Sequence, residues 1–489
     1  MGVRPGTVAL RSFPSRPFSI VFLPRLCVNR GSFVKTALLI DQDRDVRASL
    51  AEWLRQDGWD VLEAEEGETG IALAIERKPE LVFCEMIAPK FNGFQVCRTL
   101  RAQNGDLPNT KIVVTTSSGY SADRLNAIEA GANDYLIKPI SRPDLRHLLN
   151  PVPILAPDET VLMPAKPPIA VPPSAPVQSL ADMIPPDQVT VRFWGVRGSI
   201  PTPGPTTAIY GGNTSCIEVR ADNEIIVMDA GTGIRPLGLQ LAKEAQGRPL
   251  ALTVLISHTH WDHIQGFPFF DPAYNPKNDL RIVGFEGARE GLLATLSSQM
   301  ESPYFPVGWQ QLPSHIALVE LKELKFKIGT IDVEAAYLNH PGLCMGYRLN
   351  TSCGSVAYLP DNEPFQRYKY HSDEPHQSGS TEFLRYARKM DQKLVDFVQG
   401  VDVLIMDSQY DATEYQTRVG WGHGCVDDVV ALAINANVKK LFLFHHDPSH
   451  DDDKISKMTQ WGRDFATALG ETIEIEAAKE GLEIVLKRA

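Results

Sequence analysis

Leu255-Ile-Ser-His-Thr-His-Trp-Asp-His263 is an apolar run that passes directly into three histidines and an aspartate. The residues leading into it, Ala251 to Ser257, read as a buried strand. Where such a strand ends, His258 and His260 alternate and point to one side, so both imidazoles reach a single ion. Asp262 and His263 follow one turn later, at a helix start, and face a second position beside the first. A chance cluster of polar loop residues is the competing reading. So many ligand types packed behind a buried strand make it the poorer one.

Three later segments repeat the pattern of an apolar stretch followed by a ligand type: Asn339-His-Pro-Gly-Leu-Cys-Met-Gly-Tyr-Arg348, Ala357-Tyr-Leu-Pro-Asp361 and Leu441-Phe-Leu-Phe-His-His-Asp447. Taken singly, each has a plain alternative. His340 before Pro341 suits a turn, Asp361 suits a loop cap, and the histidine pair suits an exposed polar cluster. In this order around the first motif, the segments resemble the metallo-beta-lactamase-fold hydrolases, and the resemblance covers residues 187–489.

That resemblance implies an α+β four-layer αββα sandwich and two divalent ions, zinc foremost, with Mn²⁺ or Fe also suited to these ligands. It puts His258, His260 and His340 on the first ion and Asp262, His263 and His445 on the second, with Asp361 between them and His446 as the rival of His445. Asp229, in Asp229-Ala-Gly-Thr-Gly233, is expected to orient a ligand imidazole. Gly420-Trp-Gly-His-Gly-Cys425 is similar to the Gly-His segment of phosphodiesterase branches of the superfamily, with Gly424-Cys425 in place of their small hydroxyl residues. His423 is therefore expected to act as general acid, with Asp262 as the other catalytic residue. Arg192-Phe-Trp-Gly-Val-Arg-Gly-Ser-Ile-Pro201 and Tyr210-Gly-Gly-Asn-Thr-Ser215 also look like these branches, although tight strand connections explain their glycines first.

Upstream, Ala37–Ile40, Trp59–Leu62, Leu81–Cys84, Lys111–Thr115 and Asp134–Ile137 read as strands. Val46–Arg55, Thr69–Arg77, Phe94–Ala102 and Ser121–Ala130 read as helices between them. The alternation predicts a flavodoxin-like, doubly wound parallel sheet over residues 35–150. Asp41-Gln-Asp43, Pro89-Lys-Phe-Asn-Gly93, Thr116 and Lys138-Pro139 make this segment similar to the receiver domains of two-component phosphorelay signalling. Such receivers carry an acidic pair for magnesium and an aspartate that accepts phosphoryl. Gln42 and Glu85 stand at two of those positions. Glutamate reaches one C–C bond further, which is expected to carry its carboxylate away from Lys138 and Thr116, while Gln42 removes a charge that magnesium wants. A degenerate receiver follows, serving as a docking or dimerising module that engages a signalling protein, with Glu85 imitating the phosphorylated state. The Lys138–Pro139 bond is expected to be cis by the same resemblance.

The rest of the chain bounds these readings. Residues 1–34 are basic, with Arg4, Arg11, Arg16, Arg25 and Arg30 and no acid, and read as a disordered tail. Residues 151–186 are proline-rich and read as a linker. No apolar run is long enough to span a bilayer. The net charge of -12 gives no global attraction to polyanions. Seven scattered cysteines without a C-x-x-C pair suit reduced thiols in a cytoplasmic protein. The expected function is dinuclear hydrolysis of a small-molecule or nucleotide phosphodiester by a hydroxide shared between the ions, regulated or recruited through the receiver-like module. A thioester or lactone hydrolase and a non-catalytic signalling adaptor are the alternatives.

Overall fold

Continuous apolar runs such as Leu38-Leu-Ile40 are the signature of strands covered on both faces. In the computed structural model, which describes residues 35–102, 107, 110–149, 180, 184–185, 187–285, 291–302, 304–367 and 381–487, that is what they form. Strands β1 (Thr36–Ile40), β2 (Asp60–Ala64), β3 (Leu81–Glu85), β4 (Lys111–Thr116) and β5 (Asp134–Ile137) make a parallel sheet in the order β2-β1-β3-β4-β5. Helices α1 (Arg44–Gln56), α2 (Gly67–Arg77), α3 (Gly93–Ala102), α4 (Ser121–Glu129) and α5 (Arg142–Leu149) connect and flank it. Alternate residues of β1 divide between two cores, Leu38 and Ile40 on one face and Ala37 and Leu39 on the other. The Lys138–Pro139 peptide is cis. The basic tail and most of the proline-rich linker lie outside the described residues, but Leu180 and Ile184 at the linker's end are buried in the core of the second domain.

The second domain is a sandwich of two seven-stranded sheets. The first contains β6 (Gln188–Gly195), β7 (Cys216–Ala221), β8 (Glu224–Met228), β9 (Ala251–Leu255), β10 (Asp279–Gly284) and β11 (His315–Glu320). The second contains β12 (Lys325–Ile328), β13 (Ile331–Tyr337), β14 (Met345–Thr351), β15 (Gly354–Leu359), β16 (Val403–Asp407), β17 (Lys440–Phe444) and β18 (Glu474–Ala477). The final strand, β19 (Glu483–Lys487), returns to pair antiparallel with β6.

Three cores separate four layers. The inner one joins Val189, Val191 and Phe193 of β6 to Tyr347, Tyr358, Phe442 and Phe444 of the other sheet. Outside the first sheet, α6 (Ile234–Ala245) and α8 (Leu292–Ser298) cover Ile225, Val227 and Val254, and the short α7 (Trp261–Ile264) follows β9. Outside the second sheet, α9 (Thr381–Phe397), α11 (Val426–Asn435) and α12 (Asp452–Ala468) cover Leu404, Met406, Leu441 and Leu443; the short α10 (Ala412–Tyr415) follows β16. Side chains of β17 thus alternate between two apolar cores, and a one-residue slip would exchange every one of them. Burying Phe442 and Phe444 inside the sandwich, at roughly 1.5–3 kcal/mol each, therefore sets the register in which the strand delivers His445.

The described residues from Lys35 onward pack as one unit. The receiver-like part meets the sandwich along several contacts. Lys90 N donates to Lys322 O (2.9 Å), and Lys389 on α9 pairs with Asp43 (2.8 Å). The end of the parallel sheet that carries Glu85 and Lys138 faces a cavity of about 360 Å³, closed on the sandwich side by Tyr337, Tyr386, Met390 and Phe397. Every cysteine among the described residues is a free thiol. No helix among them is long and apolar enough to cross a membrane.

Candidate metal centre

The ends of β9, β13, β15 and β17 converge on one pocket. His258 Nε2 lies 3.0 Å from His260 Nδ1, which lies 3.0 Å from His340 Nε2. Asp361 Oδ2 is 3.5 Å from His258 Nε2 and 3.4 Å from His340 Nε2. On the other side, Asp361 Oδ1 is 3.3 Å from both His263 Nε2 and His445 Nε2. Asp262 Oδ2 completes this second set, 3.3 Å from His263 Nε2 and 3.1 Å from His445 Nε2. Four donors about 2.0–2.1 Å from one zinc ion stand about 3.3–3.4 Å apart; His258, His260, His340 and Asp361 form a four-donor group near those dimensions, and Asp262, His263 and His445 a three-donor group beside it. His260 is the member open to solvent; the others are buried.

The protonation pattern points the same way. His263 Nδ1 donates to Asp229 Oδ2 (2.7 Å), His340 Nδ1 to Gly422 O (2.8 Å), His445 Nδ1 to Gln409 Oε1 (3.2 Å) and His258 Nδ1 to Ser257 Oγ (3.1 Å). Each ring therefore turns Nε2 inward, and partners of this kind are what fix the tautomer of a ligand imidazole. Asp229 is itself held by Ser257 N (2.7 Å), Ser257 Oγ (2.8 Å) and Tyr358 OH (2.7 Å). Two buried atoms aimed at the pocket, His263 Nε2 and Asp361 Oδ1, have no hydrogen-bond partner. Orphans of that kind are rare in folded proteins and fit a cation's ligands.

Burial, and then the charge of His263, hold His258 well below the usual imidazole range; burial likewise lowers His260 and His340. A neutral imidazole is the form that ligates. Asp262 and Asp361 are held well below the carboxylate range because the surrounding histidines outweigh their burial. His263 moves upward, since Asp262, Asp361 and Asp229 together outweigh its own burial. Three buried carboxylates in one pocket demand positive charge.

The backbone bends sharply to make the pocket. Asp229 and His445 sit at φ 61° and 60°, a left-handed conformation that non-glycine residues adopt at a cost of about 1–3 kcal/mol and that clusters at functional sites. A Cβ on Gly198 would stand 2.4 Å from the His445 ring, so this glycine, in a segment whose glycines read first as strand connectors, is required by the imidazole itself. Ser199 N donates to Asp262 Oδ2 (2.7 Å). Of the two adjacent histidines, His445 enters the cluster, whereas His446 Nε2 turns away to Ala478 O (2.9 Å).

His423 stands at the mouth of the pocket. Its ring centroid is 5.1 Å from that of His340 and 5.0 Å from that of His445, and Nδ1 lies 3.1 Å from Asp407 Oδ2. Burial opposes its charge, but Asp407, Asp361 and Asp262 prevail and raise it to about 9. Sequence reasoning passed over Asp407 and Gln409. Asp407 ends the apolar run Val403-Leu-Ile-Met, the same signal that marks Asp361, and could have been found by it. Gln409 carries no such mark.

The receiver pocket corrects one expectation. Glu85 does not miss Lys138: the ammonium lies 2.7 Å from Glu85 Oε1 and 2.7 Å from Asp41 Oδ2, with only 1 % of its side chain exposed. A buried ammonium requires counter-charge, and the longer side chain folds to supply it. Thr116, by contrast, accepts from Ser118 N (2.9 Å) and forms no described bond to Glu85. Gln42 donates its amide hydrogen to Ile87 O (3.1 Å).

Residues 37–150 match the response regulator receiver domain model, and residues 224–377 match the model of the beta-lactamase superfamily domain. Among curated proteins, the chain is similar to the response regulator MprA of Mycobacterium sp. (strain KMS), at 36% identity over 22% of this chain and 46% of that protein. The chain thus spans about half the length of the curated relatives it matches. Among solved structures it is similar to the metallo-beta-lactamase fold protein YhfI from Bacillus subtilis, at 16% identity and a TM-score of 0.43 over 61% of this chain and 99% of that one. It is also similar to the short form of human tRNase Z, at 18% identity and a TM-score of 0.39 over 60% and 98%. The chain joins a response regulator receiver domain to a domain of the beta-lactamase superfamily.

Proposed function

We propose that the sandwich is a dinuclear metal-dependent hydrolase acting on phosphodiesters, with zinc as the ion. The observation that carries this reading is the four-donor group His258, His260, His340 and Asp361 beside the triad Asp262, His263 and His445, with the Asp361 carboxylate reaching towards both. His258, His260, His340 and Asp361 would hold one ion, and Asp262, His263, His445 and Asp361 the other. Bound there, such ions make water nucleophilic near neutral pH and polarise the phosphoryl oxygens.

The remaining chemistry belongs to the chain. Asp229, Gln409 and Gly422 O take the Nδ1 protons of three imidazoles and keep their lone pairs inward. His423, anchored through Nδ1 on Asp407, whose carboxylate favours the charged ring, stands where a departing alkoxide requires a proton. That donor favours a phosphodiester over a thioester, whose thiolate leaves without help. Exposed Trp261 and Trp421 flank His260 and His423 and would border an incoming substrate. The receiver domain recruits or regulates the enzyme through a signalling partner.

The test is turnover of bis(p-nitrophenyl) phosphate and cyclic nucleotides beside thioester and lactone panels, with zinc, manganese or iron supplied. Phosphodiester turnover that disappears in His423→Ala supports the proposal. Hydrolysis confined to the acyl panel moves the assignment to a thioester or lactone hydrolase, and metal-replete protein silent on every panel moves it to an adaptor.

A further inference from the structure

Glu363, two residues beyond Asp361, is fully buried. Its carboxylate accepts from Gly420 N (2.8 Å), Gly422 N (2.9 Å), Tyr415 OH (2.6 Å) and Tyr120 OH (3.2 Å). The first three belong to the sandwich and fix the loop whose Gly422 carbonyl holds His340 and whose next residue is His423. The fourth comes from the receiver, from the connection between β4 and α4. The Tyr120 hydroxyl also lies 3.4 Å from Asn339 O, immediately before His340.

One turn further along the receiver, Asp123 Oδ1 accepts from Gly342 N (2.7 Å), two residues after His340. Asp123 is itself buried and steadied by the Ser118 hydroxyl. Both flanks of the His340 loop, and through Glu363 the His423 loop, are therefore held by receiver side chains. Gly342 and Gly422 sit at φ 86°, where glycine is free to move, so the receiver contacts add to the sandwich's own hold on these loops.

Resting on the hydrolase reading above, we propose that Tyr120 and Asp123 are positioning residues for the metal centre. The receiver's α4 end is built into the active site as the clamp on its two glycine loops, and its docking partner is this chain's own sandwich.

The full-length chain is compared as wild type, Tyr120→Phe, Asp123→Ala, Asp123→Asn and Lys389→Ala. The asparagine keeps an oxygen for Gly342 N. The Lys389 variant breaks an interface ion pair with Asp43 that touches neither loop. Amide hydrogen exchange of the metal-free proteins is read over residues 339–344 and 418–425, with β17 as the folding reference. Tyr120→Phe and Asp123→Ala are expected to accelerate exchange in these segments about tenfold, with Asp123→Asn and Lys389→Ala no faster than wild type and β17 accelerated in none. With zinc and bis(p-nitrophenyl) phosphate, the same two variants should lose about tenfold in kcat while KM stays within about twofold.

Wild-type exchange in Tyr120→Phe overturns the proposal, as does equal acceleration in Lys389→Ala, which would reduce the clamp to general docking. If Asp123→Ala fails to fold, Tyr120→Phe decides alone. A wild-type chain without metal or turnover would sink the hydrolase reading, while the exchange data would still settle the clamp.

Discussion

At the ends of β1 and β3, Asp41 and Glu85 share one buried ammonium, with Lys138 Nζ 2.7 Å from each. At the ends of β9, β15 and β17, Asp262 and Asp361 are surrounded by imidazoles, yet Asp361 Oδ1 and His263 Nε2 remain without a hydrogen bond. Both pockets hold buried carboxylates at strand ends. In the first, a lysine ammonium already supplies the cation, 2.7 Å from each carboxylate; in the second, the carboxylates face imidazoles that converge on common centres. Charge composition alone does not distinguish a metal site from a salt-bridged core. The direction of the lone pairs does.

Removing the shared carboxylate should break this contrast most severely. Asp361→Ala takes a ligand from both sets, and phosphodiester turnover should fall at least about 10³-fold, since the ions together supply several kcal/mol. Residual activity within about tenfold of wild type would mean that the two sets do not work together. His423→Ala should lower kcat by about 10²–10⁴ with metal content unchanged, which separates a proton donor from a ligand. Loss of metal in that variant would move His423 into the ligand set, which its proximity to Asp361 and His445 also allows.

In the receiver pocket, Lys138→Met leaves Asp41 and Glu85 facing each other without a cation. Urea unfolding of the full chain should show a loss of about 3–5 kcal/mol. An unchanged midpoint would mean that the ammonium is dispensable and the pocket is not closed by it. Incubation with acetyl phosphate and Mg²⁺ is expected to leave the receiver without a phosphoryl adduct; a hydroxylamine-sensitive mass gain of one phosphate would show that the pocket still opens.

The smallest effect concerns Asp123, which burial raises to about 6 from an ordinary 3.8. The folded chain holds this proton more tightly than the unfolded chain does. Its contribution is therefore complete below the ordinary value and is lost as pH rises through about 6, a span of roughly 3 kcal/mol. Asp123→Asn cannot ionise, so its stability relative to wild type should climb between pH 4 and 7 and then level off. A difference that is flat with pH would contradict the burial argument.

Much of this architecture is legible in the sequence. Continuous apolar runs announce β1, β3, β9, β15, β16 and β17, because strands covered on both faces leave no polar positions to blur them. His258, His260, Asp262, His263, Asp361 and His445 stand out because each follows such a run. The choice between His445 and His446 was not legible: it turns on a left-handed bend at φ 60° in a residue that is not glycine. Glu363 bears no local signal, because its four partners come together only through packing of both domains. The Lys138–Glu85 contact escaped for the opposite reason: side-chain length was weighed without the burial that compels the pairing.

The most direct measurement is metal content per chain in the purified full-length protein and in Asp361→Ala after equilibration with zinc. The account requires two ions per wild-type chain and a loss of at least one from the variant. A wild-type chain that binds none, or a variant that still binds two, would contradict it.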